Sequence, residues 1–140
     1  MRALIPEFNA VILRLAPAFT AAPKAPETFR QLMQARAETR ALLVWEGASE
    51  ATVYGDARVN HAFRAWHDAT HIAGGHGFTL EGERATYRDQ WAAVLSLYPS
   101  APDAWRALLH AEIIRQAEHY EAHGAFPTDQ AAFIREALSL

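Results

Sequence analysis

The chain has 140 residues, 51% hydrophobic and 21% charged, which describes a folded domain with a core rather than a disordered segment. A formal charge of −3 excludes a broad basic surface for a nucleic-acid backbone. Without cysteine there can be no disulfide, thiol nucleophile, zinc finger or iron–sulfur cluster, so any metal site must use His, Asp and Glu.

Taken in chain order, the apolar start is broken by Pro6, Glu7 and Arg14. Phe8, Ile12 and Leu15 fall on one face at helical spacing, which predicts an amphipathic helix. No apolar run reaches the ~18–20 residues of a membrane span, and a signal peptide wants a longer uncharged core, so cytoplasmic residence is the default expectation. Ala16 to Pro26, with three prolines among small residues, reads as a connector. A helix is predicted from Glu27 to about Leu42. The segment from residue 43 to 56 keeps no helical period; Val44, Trp45, Val53 and Tyr54 favour extended backbone, and Gly47 and Gly55 punctuate it, giving an irregular loop or short hairpin. Asp56 or Asn60 caps a helix running to Ala73 and stopping at Gly74-Gly75. Thr79 caps another running to Tyr98, before Pro99. Pro102-Asp103 opens a long helix to His123, ended by Gly124, and Pro127-Thr128 starts a last one. The predicted fold is a single all-α domain over residues 1–140, a compact bundle of about six helices. Trp45, Trp66, Trp91 and Trp105 are read as core.

All seven histidines lie between His61 and His123. His67 and His71 are four apart on a predicted helix, so both imidazoles reach from one face toward one ion. Arg64 and Asn60 continue that stripe. Asp68, about 100° around the helix, is placed to ligate or to orient a histidine. The chain then reverses through Gly77-Phe78, and Glu83, in the first turn of the next helix, comes back opposite the histidine pair. Glu112 and Gln116 share an inward face with Trp105 and Leu109, and a carboxylate there needs a partner such as a metal or a histidine. Glu112 and His119 are two turns apart, roughly 10 Å, too far to share an ion. The candidate ligands are therefore His67, His71, Glu83 and Glu112. His61, His76, His110, His119 and His123 read as surface, loop or helix-end residues. A buried polar network without metal is the competing reading.

On these residues the chain resembles a group of short, uncharacterised bacteriophage and prophage proteins. The pattern is Asn60-His61-Ala62-Phe63-Arg64-Ala65-Trp66-His67-Asp68, then His71, Gly77-Phe78, Gly82-Glu83, Ala111-Glu112 with Gln116, and Phe126-Pro127 with Asp129-Gln130 and Phe133. The resemblance spans roughly residues 43 to 135 and implies relatives rather than an activity. A weaker similarity is to the HD-domain phosphohydrolases, whose adjacent His-Asp binds a catalytic divalent metal. His67-Asp68, His71 and Gly82-Glu83 echo it, but no histidine precedes His61, where HD domains carry a further ligand.

Two functions compete. One is a metal-dependent hydrolase of a nucleotide or other phosphate ester, with a Zn, Mn, Fe or Ni ion, Asp68 or Glu112 taking a proton from water, and Arg64 neutralising phosphate. The other is a non-catalytic phage or mobile-element protein that binds a host or viral protein, with a structural metal or polar network. A di-iron protein would need paired Glu-x-x-His motifs, which the chain lacks.

Overall fold

The computed structural model describes residues 2–140. Helix α1, Pro6–Leu15, begins with a proline whose missing N–H costs nothing in a first turn, and buries Phe8, Val11 and Ile12. Strand β1, Thr20–Ala22, lies within the expected connector. Helix α2, Phe29–Thr39, is opened by a capping box in which the Thr28 hydroxyl and the Gln31 side chain satisfy each other's backbone N–H. It ends earlier than predicted, because Arg40 takes the left-handed conformation at φ 56°.

Strand β2, Leu43–Trp45, pairs with β1 in parallel, with Thr20 opposite Leu43, Ala21 opposite Val44 and Ala22 opposite Trp45. The hairpin expected near residues 43–56 is therefore absent. The partner strand comes from before α2, and parallel strands need such a crossover, whereas a hairpin joins antiparallel ones. The rest of that segment is irregular, as expected, and it is tied down. Asn60 donates to Ser49 Oγ at 2.9 Å and accepts from Thr52 Oγ1 at 3.2 Å, and Leu4 N–H donates to Val53 O at 2.7 Å.

Helix α3, Ala57–Gly74, is capped by the Asp56 carboxylate and closed by Gly75 at φ 66°, a conformation that favours glycine. Helix α4, Leu80–Leu97, is capped by Thr79, whose hydroxyl accepts from Gly82 N–H. Helix α5, Asp103–His110, continues through a π-helical turn, Ala111–Arg115, into α6, Gln116–His123, closed by Gly124 at φ 74°. The long helix of the sequence is thus one rod with a widened turn in its middle. Helix α7, Gln130–Ala137, starts at an Asp129 cap, slightly later than Pro127-Thr128 suggested.

The main core joins Phe8 and Ile12 of α1, Tyr54, Phe63 and Trp66, Val94 of α4, Leu108 and Leu109 of α5, Ile114 and Ile134. A smaller cluster, Leu32, Leu42, Val44 and Ala65, packs α2 and the strands against α3. Helix α3 touches both clusters, which fixes its rotation and hence the direction of its histidines. Trp66 is core as predicted; Trp91 and Trp105 pack partly buried against it. Trp45, expected in the core, is instead 50% exposed. No helix among the described residues is long and apolar enough to cross a membrane.

Candidate metal centre

His67 and His71 project from one face of α3, one turn apart. Glu83, in the first turn of α4, faces them across the helical hairpin. The approach depends on Gly82: a Cβ there would lie 1.9 Å from the Gly77 carbonyl oxygen, so only glycine lets the start of α4 close onto the turn. Thr86 Oγ1 donates back to Gly82 O at 2.9 Å and holds that first turn.

The three side chains meet. His67 Nε2 lies 2.9 Å from Glu83 Oε2, and His71 Nε2 lies 3.1 Å from both Glu83 oxygens and 3.1 Å from His67 Nε2. The other ring nitrogen of each histidine faces an oxygen acceptor. His67 Nδ1 donates to Gln90 Oε1 at 2.6 Å, and His71 Nδ1 donates to the His76 carbonyl at 2.7 Å. Those acceptors place an N–H on each Nδ1 and turn each Nε2 toward the other ring and toward the carboxylate. Three ligand atoms converging in this way could hold a metal ion between them. Donors 2.0–2.2 Å from one ion lie about 2.8–3.6 Å apart at right-angled to tetrahedral geometry, and the observed 2.9–3.1 Å spacing falls in that range. Among the described residues, His67, His71 and Glu83 form the group of His, Asp and Glu able to hold a metal ion.

Aromatic rings hold the imidazoles. Phe63 stacks on His67 with centroids 6.0 Å apart, and Phe78 meets His71 edge-on at 4.9 Å. His71 is fully buried, while His67 and Glu83 each keep 18% of the side chain exposed. They open onto a cavity of about 780 Å³ lined also by Asp68, Glu112 and Gln116. The partly exposed edges of His67 and Glu83 thus leave the three-residue group accessible from the cavity.

The electrostatics follow from this packing. Burial works to raise the Glu83 carboxyl, but hydrogen bonds from His67 and His71 and their charge bring it down to about 2. Burial pulls His67 down, yet the hydrogen bond and charge of Glu83, with Asp68 and Gln90, leave it raised. Asp68 is pushed up to about 6 and Glu112 to about 7, each mainly by burial. Burial raises the Tyr54 hydroxyl well above its usual range, and the neighbouring Glu112 charge adds to this.

The other sequence candidates divide. Asp68 lines the cavity and makes no hydrogen bond or ion pair among the described residues. Glu112, expected as a ligand, lies outside the three-donor group; its carboxylate accepts from Gln116 Nε2 at 2.6 Å, and the π-helical turn sets both on the cavity wall. Such widened turns recur at functional sites. Arg64, expected to neutralise phosphate, is not on the cavity wall. Its guanidinium donates to the Trp45 and Gly47 carbonyls, the latter at 2.7 Å, and stacks over the Trp45 ring at 5.3 Å. This explains why Trp45 lies on the surface. Asn60, on the same stripe, pins the loop instead of capping α3. His61 contacts Glu46 O, His76 pairs with Asp89 at 2.7 Å, His110 packs on Tyr87, and His119 donates to Ala125 O.

Gln90 was not among the residues singled out from the sequence. Its signal was present: it lies seven residues after Glu83, two turns along the same face of α4. Compared with known family models, curated proteins and solved structures, the chain matches none.

Proposed function

We propose that the protein is a divalent-metal-dependent hydrolase whose ion is held by His67, His71 and Glu83. The observation that carries this reading is the pair of Nε2 atoms turned toward the Glu83 carboxylate, each ring held by an acceptor at Nδ1. One proton on His67 answers its contact with Glu83 but leaves His71 Nε2 facing acceptors; a divalent ion satisfies all three. An ion bound there supplies an activated water and a Lewis acid. The chain's own part is orientation and proton handling. Gln90 and the His76 carbonyl hold the imidazoles, and the apolar rings limit water access. Glu112, pushed up to about 7, and Asp68, at about 6, are matched to proton transfer near neutral pH.

The phosphate-ester substrate inferred from the sequence pattern belongs to this proposal, with the ion rather than Arg64 meeting the phosphoryl charge. A phage or prophage origin and a place in a bacterial cytoplasm are supported by the residue pattern alone. The reading as a partner-binding protein draws on the exposed Tyr120 and Phe126 at the cavity mouth, 50% and 54% accessible.

Elemental analysis of untagged protein and calorimetric titration with Zn, Mn, Fe and Ni ions test the metal. One ion per chain is expected, lost in His71→Ala and Glu83→Gln. If no ion binds and none shifts the melting temperature, the metal reading is wrong. A panel of phosphate and carboxylate esters run beside His67→Ala tests hydrolysis, and activity that survives that substitution rules out this site as its source.

A further inference from the structure

The cavity beside the metal centre has a composition that says what it accepts. Its walls are aromatic, with Phe29, Phe63, Phe78, Tyr120 and Phe126, and Tyr120 and Phe126 pair with centroids 4.8 Å apart. Its acidic groups beyond Glu83 are Asp68 and Glu112, half-buried within, and Glu27 and Glu121 at the exposed rim. Among the described residues no lysine or arginine lines it. Arg64 is absent from the lining; its charge acts on Asp68 and Glu112, while its Nη1 donates to the Trp45 and Gly47 carbonyls. Even with a divalent ion on Glu83, carboxylates outnumber cations around the cavity. At about 780 Å³ it has the size of a small-molecule pocket.

Aromatic faces and unpaired carboxylates in one partly enclosed space are complementary to an organic cation. The ring quadrupoles attract an ammonium, and the apolar body of the ligand displaces water from the walls. Asp68 reinforces the argument, because it faces the cavity with no hydrogen-bond or ion-pair partner among the described residues.

We infer that the cavity binds the ammonium-bearing, apolar portion of the substrate, placing an amine-containing amphiphile beside the metal centre. The scissile bond lies at the His67–Glu83 end, and the ammonium lies among the carboxylates toward Glu121. For the reaction this inference rests on the hydrolase reading, whereas recognition is measured separately.

The test uses the full chain near neutral pH, metal-free and zinc-loaded. It is titrated calorimetrically with 2-phenylethylammonium, with the neutral 2-phenylethanol and, in the metal-free protein, with the anionic 3-phenylpropionate. The ammonium probe is expected to bind at least about ten-fold tighter than the alcohol in both states and tighter than the anion. Glu121→Gln, at an exposed position, is expected to shrink that preference at least about three-fold, and Glu112→Gln to do the same. Equal binding of ammonium and alcohol, preference for the anion, or no saturable binding of the ammonium overturns the inference. Zinc is also titrated alone. Zinc binding without an ammonium preference defeats this inference and leaves the metal reading standing; an ammonium preference without zinc binding does the reverse.

Discussion

Gln90 Oε1 accepts from His67 Nδ1 at 2.6 Å, and this one contact decides which nitrogen of His67 faces Glu83. Gln90 is fully buried, and its amide nitrogen has no hydrogen-bond partner among the described residues. A buried donor left unpaired is costly, and the contact with His67 Nδ1 is the hydrogen bond the Gln90 side chain makes among the described residues. Replacing Gln90 by Leu should weaken metal affinity about 10–100-fold, the usual effect of removing the group that orients a ligating histidine. Gln90→Glu, which keeps the acceptor, should recover most of it. Competitive titration against a zinc indicator measures both; unchanged affinity in Gln90→Leu would mean that the contact does not orient the ring.

Metal should stabilise the fold across the α3–α4 hairpin. Binding to the native state alone adds about 2.7 kcal/mol when free ion is 100 times Kd. A thermal melt with and without chelator is expected to show that gain in the native chain and no gain in His71→Ala.

The pH dependence of metal-free protein has a definite sign. Glu112 rises from 4.5 to about 7 on folding. Below 4.5 it is protonated in both states. Above that value the unfolded chain ionises first, so stability falls as pH rises, until it levels above pH 7. Glu83 works in the opposite direction: lowered to about 2, it contributes stability above 4.5 that is lost as pH falls toward 2. Denaturant melts from pH 3 to 9 should therefore show a maximum in weak acid. Glu112→Gln should remove up to about 3 kcal/mol of the loss between pH 4.5 and 7. A variant as steep as the native chain on that limb would refute the assignment.

Arg64 should behave as a loop anchor. Arg64→Ala removes two donated hydrogen bonds and the Trp45 stack, at a cost of about 2 kcal/mol. Metal affinity should stay within about two-fold. A variant with native stability but no hydrolysis of a phosphate ester would restore the phosphate role that its position argues against.

Gly82→Ala should cost about 3 kcal/mol, because the added methyl meets the Gly77 carbonyl and the start of α4 must move. Glu83 moves with it, so zinc affinity should fall together with the melting temperature. If stability falls and zinc affinity does not, Glu83 is not held by this close approach.

What the sequence by itself determined was local. Thr79, Asp56, Gly124 and Pro102 announce helix ends through groups within a few residues, so the all-helical fold was legible. The spacing of His67 and His71 is a property of one helix, and Glu83 follows after a short turn, so the three donors were legible too. Only the tertiary structure decided the rest. β1 lay within what read as a connector, because three residues become a strand only when Leu43–Trp45 lies beside them. Arg64 shares a stripe with His67, yet its long side chain reaches Trp45 and Gly47, whose position depends on how the loop packs. Glu112 was visible as a buried carboxylate, but its place on the cavity wall rather than among the three donors depends on the π-helical turn and on Gln116. Helical periodicity can say which residues share a face; what that face meets is set by the packing of elements distant in sequence.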